Sequence, residues 1–363
     1  MDWGFFQELL SIDSTSGKER KVAEWLAERL PGMFPAANRP ELRAEEVGDG
    51  TLNLLLTWGS PRIVFCSHLD TVPPYIPPTF PERWPVAAGH DENTAVIPGL
   101  TGNLPETIKG RGSCDAKGQV FAIVEACTRL AEEGKTDFGM LLLAGEETGS
   151  WGAKAFAKTA FRAEYLVVGE PTDNCMVSAS KGTKSFDLKF TGEPFHSGYP
   201  KYGVSAVDLF VEFVNALKAK DFGMDPVLGE TTWNIGLLHS DNPQNILSPE
   251  LTCRLYFRTT FVSDEAVCQW MDEASSVIPG LTGNLAVTAR GGDTPARYWT
   301  VEGLPSKSVA FGSDAPHLKN FSHKAICGPG SITVAHRDDE HVLVADLATA
   351  VEQYLALYRS VTE

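Results

Sequence analysis

Two hydrophobic periods alternate along this chain. Short continuous apolar runs bounded by glycine or proline read as buried strands, and stretches with apolar residues every three or four positions read as helices. Residues 2–30 read as helical, with Val22, Trp25, Leu26 and Leu30 in phase and Pro31-Gly32 as a stop. Residues 41–47 and 51–58 read as strands around a Gly48-Asp49-Gly50 turn, and Arg62–Ser67 as a third strand. Ala116 to Glu133 returns to the helical period through Val120, Val124, Cys127 and Leu130. Met140-Leu141-Leu142-Leu143 reads as a strand, Ala153–Thr159 as a helix and 165–172 as a strand. This alternation predicts an α/β domain with a mostly parallel sheet.

Beyond Cys175 the pattern changes. Lys184–Thr191 alternates as a half-exposed strand does, and Val204–Lys218 is an amphipathic helix with Val207, Phe210, Val211, Val214 and Leu217 inward. Strands over 232–239, 251–260 and 285–289 and a helix over 264–277 complete a β-α-β-β-α-β order, the ferredoxin-like pattern. After Arg290 the α/β character resumes and ends in a helix carrying Leu347, Val351, Tyr354 and Tyr358. The expected organisation is therefore a catalytic domain over 1–176 and 291–363, with 177–290 inserted into it. The proline-rich connection 73–110 lacks periodicity, and loops of that length are commonly functional. It reads as lining the mouth of the site. The string VIPGLTGNL occurs at 96–104 and again at 277–285, and we have no physical reason for the repetition.

Chemistry collects where the apolar runs stop. Phe138–Ser150 ends its run in Gly145-Glu146-Glu147, at the strand end where open α/β sheets place ligands. An isolated Glu-Glu pair is ordinarily a solvated turn. Here, however, other runs end in His68 with Asp70 and in Glu170, while Asp115 follows a glycine-rich turn and His336 follows GPGSITVA. Each has a plain alternative: Asp115 as a helix cap, Glu170 as a turn residue, His336 as a loop histidine in competition with His341. Together they form an imidazole and carboxylate set, which suits zinc or a similar divalent ion. Five ligands exceed the need of one catalytic zinc and suit two metals sharing a bridging carboxylate.

Composition narrows the partners. The net charge of −16 argues against nucleic acid and anionic membrane surfaces. Seven cysteines, odd in number, widely spaced and without a C-x-x-C pair, fit a reducing compartment. The start lacks a signal-peptide pattern and no apolar run is long enough to span a membrane, so a cytoplasmic protein is expected.

The motifs SHLDTVPP, GRGSCDAKG, AGEETGS, VVGEPTD and GPGSITVAHRDDE follow one another as in the M20 metallopeptidase clan, and the chain resembles its acetylornithine deacetylases, succinyl-diaminopimelate desuccinylases, aminoacylases and glutamate carboxypeptidases. The resemblance implies a zinc-peptidase catalytic domain with an inserted ferredoxin-like lid and dimerisation domain, and a homodimer. It implies that His68 and Glu170 hold one metal, Glu147 and His336 the other, and that Asp115 bridges them. Asp70 would orient His68, Glu146 would be the general base, and the Asp115-Ala116 peptide would be cis. Glutamate at 170 resembles the acylases and carboxypeptidases rather than the aminopeptidases. GEPFHSGYP resembles the segment whose histidine, here His196, reaches a partner subunit's site to donate to the oxyanion. Asn245 resembles a carbonyl-binding asparagine, and GSDAPH and Gly328–Ser331 resemble substrate loops. Arg258 is a candidate for a substrate carboxylate, because a guanidinium can pair with it bidentately, or else a solvent-facing strand residue.

The expected activity is hydrolysis of the amide bond of a small N-acyl amino acid, acetylornithine deacetylase-like, with a place in amino-acid biosynthesis. The alternatives are a carboxypeptidase or dipeptidase acting on short peptides, a metal-binding homologue that has lost catalysis, or an interaction protein using 73–110. Two divalent ions are expected, zinc foremost, with cobalt and manganese not separable by ligand type.

Overall fold

The structure, a computed structural model, describes residues 1–48, 50–81 and 106–362. The first VIPGLTGNL copy and most of the 73–110 connection lie outside the described residues. The chain divides into two units. One comprises Met1–Ser178, Tyr298–Lys307 and Ser313–Glu363, and the other comprises Ala179–Arg297 and Ser308–Gly312.

In the first unit a six-stranded sheet runs in the order Glu41–Val47, Thr51–Gly59, Asp137–Leu143, Ile63–His68, Ala163–Val168, Phe321–Ile326. The first three are antiparallel neighbours, and the remaining pairs are parallel. Ile63–His68 is buried along its whole length, as its unbroken apolar run requires of an interior parallel strand. Helices Trp3–Ser11, Arg20–Met33, Lys117–Glu132 and Val344–Thr362 share one core with the sheet. Trp58 stacks on Phe138 at 4.3 Å between ring centroids, and Tyr358 meets Phe138 edge-on.

Several boundaries differ from expectation. The first helical stretch is broken over Ile12–Glu19, where Asp13 accepts hydrogen bonds from the Thr15 amide and hydroxyl. Such side-chain-to-backbone bonding competes with the helix. The second helix also runs through Pro31 to Met33. A proline this late in a helix removes only one ladder bond, and Leu30 beside it is fully buried. The helix after Glu147 is Trp151–Phe156, and the strand before Glu170 stops at Val168.

The second unit is a sheet of four antiparallel-paired strands in the order Thr232–His239, Glu250–Thr259, Gly182–Thr191, Leu285–Gly291. Numbered along the chain, that is second, third, first, fourth. Helices Ala206–Ala219 and Asp264–Val277 share its core. The inward stripe of Ala206–Ala219 is Ala206, Leu209, Phe213 and Leu217, whereas Val207 and Val211 are exposed. The larger rings decide this: Phe213 packs 5.6 Å from Phe190 and 5.5 Å from Trp270. The second VIPGLTGNL copy joins Asp264–Val277 to Leu285–Gly291. All seven cysteines are free. Among the described residues no helix is long and apolar enough to cross a membrane.

Candidate metal centre

The centre is built in the first unit: His68, Glu147, Glu170 and His336 stand at or beyond the ends of parallel-paired strands, and Asp115 stands just before the helix Lys117–Glu132. His68 closes Ile63–His68. Its Nδ1 lies 2.9 Å from the Asp70 carbonyl oxygen and 3.5 Å from Asp70 Oδ1. Its Nε2 lies 3.1 Å from Asp115 Oδ1. The other Asp115 oxygen is 3.3 Å from His336 Nε2, which is also 3.0 Å from Glu147 Oε1. Asp115 thus stands between two imidazoles. It caps nothing, because Lys117–Glu132 starts behind Ala116 with no side-chain cap bond. The Asp115-Ala116 peptide is cis.

Donor atoms within 4.8 Å of one another form the sets His68, Asp115, Glu170 and Asp115, Glu147, His336, with a third set of His68, Glu146, Glu147. His341 is in none of them. It lies on the strand His341–Leu343, with its Nδ1 2.8 Å from the Asp339 carbonyl oxygen.

Asp70 organises the acid pair from behind. Its carboxylate accepts the Glu146 amide at 3.0 Å, the Glu147 amide at 3.2 Å and the Ser16 hydroxyl at 2.9 Å. On the other side of the turn, Trp151 closes on Gly145. A Cβ on Gly145 would fall 1.9 Å from the indole, and its φ of +68° already favours glycine.

The electrostatics fit cation ligation. Burial opposes charge on His68, but the bonds to Asp115 and Asp70 outweigh it and hold the imidazole well above its ordinary value. His336 is pushed up to about 10 by Asp115 and Glu147. Burial lifts Glu146 and Glu170 well above the usual carboxylate range, with neighbouring carboxylates adding to the rise. Asp115 is driven the other way by its two imidazoles, against the effect of burial. Glu170 Oε1 is buried with no hydrogen-bond partner, an acceptor directed at something other than protein. Nitrogen and oxygen donors without thiolate, one orphaned carboxylate oxygen and a doubly contacted aspartate all suit a pair of zinc-like ions.

Three predicted residues lie in the second unit. His196 and Asn245 are exposed, and the structure brings their loops together. His196 bridges to Ile246, and the Ser197 amide donates to the Asn245 carbonyl oxygen at 2.9 Å. Arg258 is half-buried on Glu250–Thr259, its guanidinium 5.0 Å from the Tyr256 ring.

The sequence reading missed Ser16, Trp151, Arg111, Glu340 and Asp314 as individual residues. Asp314 is buried and lifted to about 6, chiefly by that burial, with one carboxylate oxygen unpartnered. Glu340 ends the acidic run Asp338-Asp339-Glu340, which reads as solvated. It is buried, whereas Asp338 and Asp339 beside it are exposed.

The chain belongs to peptidase family M20/M25/M40, whose family model matches residues 64–360. It is a metal-dependent hydrolase acting on amide bonds. A probable carboxypeptidase of Aspergillus terreus is 30% identical, over 97% of this chain and 84% of its own length. A probable carboxypeptidase of Emericella nidulans is 31% identical, over 98% and 88%. Among solved structures, a tripeptidase from Staphylococcus aureus superposes with a TM-score of 0.77 at 19% identity, covering 97% of this chain and 95% of its own. An M20 family metallo-carboxypeptidase from Sulfolobus solfataricus superposes with a TM-score of 0.68 at 16% identity, covering 99% and 100%. These two likenesses show the mixed α/β fold with its mostly parallel central sheet.

Proposed function

We propose that the protein is a carboxypeptidase or dipeptidase that hydrolyses the amide bond next to a free carboxyl end in a short peptide. The observation that carries this reading is the continuous set His68, Asp115, His336 and Glu147 beside Glu146. The probable carboxypeptidases that match nearly the whole chain support that substrate class over an N-acyl amino acid. Acetylornithine deacetylation and a biosynthetic role find no support among those relatives. His68, Asp115 and Glu170 would hold one ion, and Asp115, Glu147 and His336 the other. Two such ions supply a water of lowered pKa and a Lewis-acid contact for the scissile carbonyl oxygen. Zinc suits the donors best, with cobalt or manganese as substitutes.

Glu146 carries the proton. Its carboxylate takes it from the attacking water and passes it to the leaving amine nitrogen. A carboxyl raised by burial suits both halves of that task. Asp70 holds the Glu146 and Glu147 backbones and orients His68. His196 and Asn245 are proposed to bind the carbonyl oxygen, with His196 contributed by the partner in a homodimer, and Arg258 to bind the substrate carboxylate. The test is a chelator-controlled screen of N-blocked dipeptides, free dipeptides, and N-acetyl and N-succinyl amino acids. Cleavage of N-blocked dipeptides with a free carboxyl end, lost when that end is amidated, is expected. Cleavage confined to N-acyl amino acids would replace the peptide reading with the deacylase one.

A further inference from the structure

Glu340 occupies a position that the chemistry above does not use. Its side chain is fully buried. Oε1 accepts the backbone N–H groups of Gly112 at 2.9 Å, Cys114 at 3.1 Å and Asp115 at 3.0 Å. Oε2 accepts Arg111 Nη1 at 2.5 Å, and Arg111 is itself buried. The guanidinium also donates to the Arg337 and Pro74 carbonyl oxygens. Three N–H groups converging on one oxygen form an anion-binding nest, here filled by the protein's own carboxylate. Gly112 has a φ of +86°, and Thr71 and Lys117 stand 3.1 Å from where its Cβ would be, so a side chain at 112 would crowd both.

Glu340 lies on the segment that carries His336, and its backbone carbonyl accepts the Gly110 amide. One short stretch therefore supplies a candidate ligand and grips the loop of the candidate bridging ligand. We propose that Glu340, held by Arg111, is a positioning residue that sets Asp115 at the distance from His336 needed for both to meet one ion. This rests on the metal-centre reading given under Proposed function.

The test compares E340Q and R111K with D264N, which breaks the half-buried Lys184–Asp264 pair in the second unit. Zinc affinity by chelator competition, kcat, KM and Tm are read for each. E340Q should bind zinc about ten- to hundredfold more weakly, as loss of an outer partner does. Its kcat should fall while KM stays within about twofold. R111K, which keeps the charge but loses the fork, should fall between E340Q and the parent. D264N should lower Tm without changing zinc affinity or kcat. A folded E340Q with parental zinc affinity and kcat overturns the proposal, as does D264N showing the same losses. If E340Q does not fold, R111K decides by the same two readings. Hydrogen exchange of Gly112–Asp115 in the metal-free protein separates the two readings. Should the parent bind no zinc, the metal centre fails. Parental protection of those amides in the variants refutes the Glu340 clamp by itself.

Discussion

Asp70 Oδ1 accepts the backbone N–H of Glu146 at 3.0 Å, so a residue that closes one strand's loop fixes the acid that leaves the next. Its other oxygen takes Glu147 and Ser16, and its backbone carbonyl faces His68. A single residue thereby contacts two candidate ligands and the candidate base, the Glu146 and Glu147 amides through its carboxylate and His68 through its backbone carbonyl. In D70N one oxygen becomes an amide nitrogen, which cannot accept, so one of the two N–H groups loses its acceptor. We expect kcat to fall about 10- to 100-fold, with metal bound more weakly. Steady-state kinetics alongside metal content will show this. Parental kcat in a folded D70N would remove the role.

Glu146 is expected to behave differently from its neighbour. E146Q should lose about 10²- to 10⁴-fold in kcat, the usual worth of a general base, while binding metal normally. E147Q should lose metal affinity as well. The contrast, read by kinetics and metal analysis on the same preparations, separates base from ligand. Equal metal loss in both would merge the roles.

Metal uptake should release protons. His336 is held protonated up to about 10, and His68 is also raised, by carboxylates that a cation would share. Below the ordinary histidine value near 6.5 this pairing stabilises the metal-free fold in full, and it is lost as pH rises through about 10. A cation must displace those protons, so metal affinity should climb with pH over that window. Binding at pH 7.5 should release about two protons or more per pair of ions. An indicator dye in weak buffer measures it, and no release would contradict the assignment.

Gly145 is expected to tolerate no side chain. In G145A the Cβ would overlap the Trp151 indole, at a φ that alanine rarely adopts. The cost should be about 1–3 kcal/mol, read as a lower Tm. The Glu146–Glu147 turn should shift, reducing kcat as well. Pairing it with W151G should restore part of the Tm.

The alternation of apolar runs made the main strands and helices legible, because strand burial and helix phase are local properties of the sequence. So were the candidate ligands, which stand where those runs stop. On Ala206–Ala219 Leu217, Phe210 and Val214 face the core as read, but Val207 and Val211 were misplaced there because the stripe is set by ring packing against Phe190 and Trp270. Asp70's grip on two amides, Glu340's nest and Trp151 over Gly145 were not legible. The first two are contacts between residues far apart in sequence, the third depends on how one short turn folds back, and an acid in an acidic run looks solvated until its burial is known. Asp115 read equally as helix cap or candidate ligand, and only the fold shows its oxygens lying against His68 and His336.

The most direct measurement is reconstitution. Protein stripped by chelator is titrated with zinc while hydrolysis of an N-blocked dipeptide is followed. Activity absent in the stripped protein, returning with zinc and saturating near two equivalents, with E146Q binding the same zinc but staying inactive, is the expected result. Full turnover in the stripped protein, or undiminished turnover in E146Q, would contradict a two-metal amide hydrolase with Glu146 as its base.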